Sequence, residues 1–314
     1  MSHAFVFPGQ GAQTVGMGRA LAQAYPAARA VFDEVDDALG EKLSALIWDG
    51  TAGDLTLTAN AQPALMATSM AAMRALEAEG IAVESATFVA GHSLGEYSAL
   101  AAARAMSVAD TARLLRLRGQ AMQAAVQVGQ GAMAAILGLD LAAVTQLAAD
   151  AAEGQVCEAA NDNDPAQVVI SGDAAAVQRA VDMAKGRGAK RALLLPVSAP
   201  FHCALMAPAA QMMQAALADV QITAPVVPVV SNVTAAPVSD PAEIRLLLVQ
   251  QITGAVRWRE SVLAMEAAGV RAFWEIGAGK ALSGMIRRIA READLANVAT
   301  PADVLALRKV FGAE

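Results

Sequence analysis

Residues Gly91-His92-Ser93-Leu94-Gly95 constrain this chain more than any other stretch, because they set a serine between a strand-like and a helix-like segment. The preceding run, Thr87-Phe88-Val89-Ala90, is short, apolar and partly β-branched, as expected of a buried strand. The following run, Leu94 to Ala103, is mostly Leu, Ala, Glu and Ser without proline, as expected of a helix. A G-x-S-x-G turn in that setting is sharp and strained, and its glycines let neighbouring elements approach closely. The serine hydroxyl then stands at a helix N-terminus, where free N–H groups and the positive end of the dipole can stabilise an oxyanion. An ordinary glycine-flanked turn has the same five letters, so the rest of the chain has to supply the chemistry.

The 314 residues suffice for one large domain with a smaller partner. Hydrophobic residues make up 56%, but much of this is alanine, which packs closely without making a membrane span. The longest uncharged run, Ala192 to Ala218, is broken by Pro196, Pro200 and Pro208, so no transmembrane helix is expected. The N-terminus lacks the pattern of a secretion signal. Cys157 and Cys203 are too few for a disulfide framework, and with three histidines they show no metal-ligand spacing. A reduced, cytoplasmic, metal-free protein is the expectation. The net charge of −7 argues against nucleic acid as the main partner. Two basic clusters depart from it: Lys185, Arg187, Lys190 and Arg191, and then Arg287, Arg288 and Arg291. They are either solvated helix faces or a docking surface for an acidic partner.

Alternation of strand and helix patterns predicts an α/β fold with a mainly parallel sheet. His3 to Phe7 reads as the first strand and leads into Pro8-Gly9-Gln10-Gly11. Helical patterns cover Met17–Tyr25, Ala27–Leu39, Gln62–Glu79 and about Val108–Gln127. From about Gly131 to Pro196 the order becomes strand, helix, strand, strand, helix, strand, which is the ferredoxin-like βαββαβ pattern. Residues 130–197 are therefore read as a small domain inserted into a large discontinuous one, 1–129 and 198–314. Within the small domain, Val156–Ala160 is the expected second strand and Ala174–Arg187 the second helix. Beyond it, Val226–Val230 and Ala272–Ile276 read as strands, and Pro208–Leu217, Glu243–Gln251 and Glu260–Ala268 as helices.

A serine nucleophile needs a base within hydrogen-bond reach. His3 is expected at a mobile N-terminus, and His92 should point away from the face of its neighbour Ser93 and brace the turn. His202 remains, in a loop held by Pro196 and Pro200, and is the base by elimination; a buried structural histidine is the competing reading. Gly9-Gln10-Gly11 follows the first strand and offers backbone N–H groups for an oxyanion. It is not a dinucleotide fingerprint, since Thr14 stands at the third glycine position. Gly277-Ala278-Gly279-Lys280 is not a P-loop, because Trp274 and Ala281 replace the first glycine and the Ser/Thr. Arg118 sits in a mostly small and apolar helical segment; facing inward, it requires an anionic partner, and a carboxylate fits its fork.

Together these pieces resemble the malonyl-CoA:acyl carrier protein transacylases of fatty acid synthesis and the acyltransferase domains of polyketide synthases. The resemblance runs from Phe5 to about Ile289. It implies an α/β-hydrolase-like large domain and a ferredoxin-like small one. It also implies Ser93 as nucleophile, His202 as catalytic histidine, and the backbone N–H groups of Gln10 and Leu94 as the oxyanion hole. Arg118 would pair with the malonyl carboxylate, and the backbone carbonyl of Gln251 would orient His202 in place of a triad aspartate. Asn161-Asp162-Asn163-Asp164-Pro165-Ala166-Gln167 is similar to the family's small-domain loop, with Ala166 where glycine is usual. Phe201 is similar to the residue of malonyl-selective polyketide enzymes and would crowd a methylmalonyl branch, unless it serves packing alone. The implied substrates are malonyl-CoA and acyl carrier protein, with no resident cofactor, metal, nucleic acid or membrane, and a monomer is expected. Three rivals stay open: a serine thioesterase or hydrolase using an aspartate from Asp162, Asp164, Asp173 or Asp182; the malonyl-transferring subunit of a malonate decarboxylase, or a free-standing polyketide acyltransferase; and a non-enzymatic scaffold, against which Ser93, His202 and Arg118 speak.

Overall fold

A computed structural model describes residues 2–312. Its strands are β1 His3–Phe7, β2 Phe88–Gly91, β3 Gly131–Leu137, β4 Cys157–Asp164 and β5 Gln167–Asp173, followed by β6 Arg191–Leu194, β7 Val229–Val230, β8 Pro237–Val238, β9 Ala272–Ile276 and β10 Asp294–Val298. Six of them form one sheet in the order β10-β9-β1-β2-β7-β8, parallel except for the short β7–β8 hairpin. The other four form a separate antiparallel sheet in the order β4-β5-β3-β6.

The central strand β1 is buried along its whole length and sorts its side chains by parity. Phe5 and Phe7 enter the main core, while Ala4 and Val6 enter a second cluster with Trp258 and Phe273 on the opposite face. Helical layers on both faces account for a strand that is apolar at every position, as parallel sheets require. In the second sheet, Ala134 and Ile136 of β3 pack with Val144 and Leu147 of α1 (Leu141–Ala152) and Val177 of α2 (Ala174–Ala184). The alternate residues Met133 and Ala135 join the main core instead. One face of the small sheet thus has its own helices and the other lies on the large body.

Several elements differ from expectation. His3 is not mobile: it opens β1, is 4% exposed, and its ring stacks on Trp274 at 3.9 Å. β4 runs on through Asn161–Asp164, where polarity suggests a loop. Those polar groups are matched across the body, Asp162 by Arg259 and Asp164 by Arg288, each at 2.8 Å. β7 is shorter than predicted, the predicted helix to Arg187 ends at Ala184 in a 3-10 turn, and the first helix begins only at Arg19 because Gly18 is left-handed. Helices Leu43–Asp49, Ala52–Thr56, Ala281–Ile289 and Pro301–Phe311, with β8 and β10, were not foreseen. Among the described residues no helix is long and apolar enough to cross a membrane.

Candidate active site

The turn after β2 is built as its glycines require. A Cβ on Gly91 would lie 1.9 Å from the backbone of Gly95, and one on Gly95 only 2.3 Å from the Phe7 carbonyl oxygen. Ser93 occupies φ 54° and ψ −111° immediately before the helix Leu94–Ala102. A serine pays for such a backbone only where the surroundings hold it there. Asn232 does the holding, across 139 positions of chain: its Oδ1 accepts from Ser93 N at 2.7 Å and its Nδ2 donates to Gly91 O at 2.7 Å.

Ser93 Oγ lies 2.8 Å from His202 Nε2. His202 is itself at φ 59° and 3% exposed. Its Nδ1 faces two main-chain carbonyls, Gln251 O at 2.9 Å and Gly254 O at 3.2 Å. Carbonyls only accept, so Nδ1 carries the proton and Nε2 presents a lone pair to the serine. Burial, aided by the charge of Arg118, pushes the imidazole pKa down to about 3, which keeps the ring neutral. None of the four aspartates of the hydrolase reading reaches it. Asp162 and Asp164 pair with arginines, Asp173 accepts from Val156 N, and Asp182 accepts from Gln178.

Arg118 faces inward, 1% exposed, from the helix Val108–Ala125. Its Nη1 donates to Gln62 Oε1 at 2.7 Å, and its Nη2 donates to Gln251 Oε1 at 2.9 Å and to Ser93 Oγ at 3.1 Å. The guanidinium therefore adjoins the same oxygen as the imidazole. Among the described residues its Nε has no hydrogen-bond partner, and the fork stacks 5.5 Å from the Tyr97 ring.

Gln10, Ser93, Leu94, Arg118 and His202 open onto one cleft of about 350 Å³. Met133 from β3 and Leu195 just past β6 wall its other side, so the cleft lies between the two sheets. Among the described residues the main-chain N–H groups of Gln10 and Leu94 donate to no protein acceptor. Gln251 stands behind the cleft, fully buried, with its carbonyl on His202 and its side chain on Arg118. His92 braces the turn across the cleft rather than locally, through Nε2 to Asn163 Oδ1 at 2.9 Å. Sequence reasoning overlooked Asn232 and Gln62. Glu96, next after the five-residue turn, was given no task.

A serine facing a histidine, with a buried cation at the same oxygen, has the geometry of a serine enzyme that works on acyl groups. The family described as "Acyl transferase domain" matches residues 4–306. A malonyl CoA-acyl carrier protein transacylase of Bacillus subtilis is 47% identical over 299 residues, which is 95% of this chain and 93% of that relative. An acyl-carrier-protein S-malonyltransferase structure from Bartonella henselae is 56% identical with a TM-score of 0.97, covering 99% of this chain and 100% of that one. A malonyl-transacylase solved in complex with its type II polyketide acyl-carrier protein is 41% identical with a TM-score of 0.95, covering 98% and 99%. The chain belongs to the acyl transferase family and, within it, to the malonyl CoA-acyl carrier protein transacylases.

Proposed function

We propose that this chain moves a malonyl group from malonyl-CoA to the phosphopantetheine thiol of acyl carrier protein through a malonyl ester on Ser93. The observation that carries the reading is the shared oxygen, with Ser93 Oγ 2.8 Å from His202 Nε2 and 3.1 Å from Arg118 Nη2. His202 takes the hydroxyl proton as Oγ attacks the thioester carbonyl. The N–H groups of Gln10 and Leu94 receive the oxyanion. Collapse breaks the C–S bond, and His202 returns its proton to the departing coenzyme A sulfur. In the second half the carrier thiol gives its proton to His202, attacks the ester, and leaves Ser93 protonated again. The Gln251 carbonyl holds the imidazole in place of an acid, and Arg118 takes the malonyl carboxylate.

This chemistry calls for no resident cofactor or metal. The strand order β4-β5-β3-β6 with two helices on one face supports a ferredoxin-like unit at residues 130–197. We assign 1–129 and 198–314 to an α/β-hydrolase-like body, because the serine turn follows a central parallel strand. The thioesterase alternative is tested by product: with malonyl-CoA and holo carrier, malonyl is expected on the carrier, and free malonate released at a comparable rate would overturn transfer. The polyketide and malonate decarboxylase settings keep the chemistry and change only the carrier.

Acyl carrier protein is acidic, and the basic clusters now differ in suitability. Lys190 and Arg191 are exposed at the start of the edge strand β6, whose other end leads into Leu195 at the cleft. Arg288 instead balances the buried Asp164, so reversing it tests the fold rather than docking. Lys190→Glu with Arg191→Glu is expected to raise the apparent KM for carrier and leave that for malonyl-CoA unchanged. Equal effects on both substrates would refute docking at this edge.

A further inference from the structure

Behind the cleft lies one charge that the reaction above does not use. Glu96, in the first turn of the helix after Ser93, is 3% exposed. Its Oε2 accepts from Gln251 Nε2 at 2.6 Å and from Asn232 N at 3.2 Å. The same Gln251 side chain accepts from Arg118 through its oxygen. One primary amide thus bridges a buried cation and a buried anion, its oxygen toward the guanidinium and its nitrogen toward the carboxylate. The other titratable groups nearby are silent near neutrality: burial pushes Tyr97 up to about 12 and His202 down to about 3. Burial also pushes Glu96 up to about 7, against the opposing pull of Gln251, Asn232, Arg118 and the Ser231 hydroxyl.

A malonyl carboxylate on Arg118 adds a second anion to a cation that already has one. Two carboxylates around one buried cation raise each other's pKa, and the one less directly paired holds a proton more readily. The malonyl group takes guanidinium N–H groups directly, whereas Glu96 reaches the cation only through an amide. Glu96 is therefore the one that protonates.

We propose that Glu96 is the counter-charge of Arg118 in the empty site, takes up one proton from solvent when a carboxylated acyl group binds, and releases it when the carrier removes that group. The proposal rests on Arg118 as the malonyl site. Its sign is fixed: the liganded form holds more protons, so malonyl binding strengthens as pH falls through the Glu96 range, while acetyl binding does not follow.

The test is calorimetry on Ser93→Ala, which binds thioesters without transfer, at pH 7.5 in buffers of different ionisation enthalpy. Acetyl-CoA carries the same nucleotide and is the reference. Malonyl-CoA is expected to take up about half to one proton more than acetyl-CoA, and Ser93→Ala with Glu96→Gln is expected to abolish that excess. An excess that survives Glu96→Gln places the proton elsewhere, on His202 for example, and overturns the proposal; so does no excess in the presence of Glu96. Should Glu96→Gln fail to fold, the Kd ratio of malonyl-CoA to acetyl-CoA in Ser93→Ala decides. It is expected to rise up to about tenfold per unit between pH 8 and 9, and a flat ratio overturns the proposal. Binding of malonyl-CoA that is indifferent to Arg118→Ala would instead refute the functional reading, and the proposal with it.

Discussion

Replacing His202 by alanine is expected to slow acylation of Ser93 by about 10³-fold, within the usual range for loss of a general base. Among the described residues the imidazole is the only base in hydrogen-bond reach of the serine: Nε2 is 2.8 Å from Oγ, and the other near group, Arg118 Nη2, only donates. Without it the serine must lose its proton to water, a far weaker base than imidazole. The measurement is the single-turnover release of coenzyme A from malonyl-CoA. A loss of less than about tenfold would mean that His202 is the structural histidine of the alternative reading. His202 sits at φ 59°, which is strained for a residue without a task, and its Nδ1 is fixed by carbonyls that leave Nε2 free for the serine.

Arg118→Ala is expected to lower the preference for malonyl over acetyl by about 10²-fold or more, the equivalent of roughly 3 kcal/mol for a charge-assisted contact. In the empty site the guanidinium is held by two neutral amides and the serine hydroxyl. A malonyl carboxylate offers it a direct anionic partner, whereas the acetyl complex leaves it only the charge of Glu96 relayed through the Gln251 amide. The ratio of kcat/KM for the two thioesters, both measured on the same variant, isolates this effect from any general loss. An unchanged ratio would remove Arg118 from substrate selection.

What the sequence made legible follows from how local each feature is. The serine turn was readable because Gly91 and Gly95 are required by contacts within a few residues of Ser93 and with the first strand. His202 was reachable because only three histidines compete for the role. Arg118 was conspicuous as a charge in an apolar helical segment. Gln251 was reachable only through resemblance, since any residue can supply a carbonyl, and its side-chain bridge between Arg118 and Glu96 has no local signature. Asn232 follows a two-residue strand and acts on a turn far away in the chain, so no periodicity marks it. The same limit explains β4: Asn161 to Asp164 look like a loop until His92, Arg259 and Arg288 supply their partners from the other body. His3 was misplaced because position in the chain stood in for burial, whereas Trp274 and Phe5 hold it at the end of the central strand.

The claim at the centre is that Ser93 carries the acyl group between two thiols. Intact-mass and peptide mass spectrometry after incubation with malonyl-CoA tests it most directly. A single malonyl adduct is expected on Ser93, absent from Ser93→Ala and discharged when holo acyl carrier protein is added. An adduct on another residue, or full transfer to the carrier by Ser93→Ala, would contradict it.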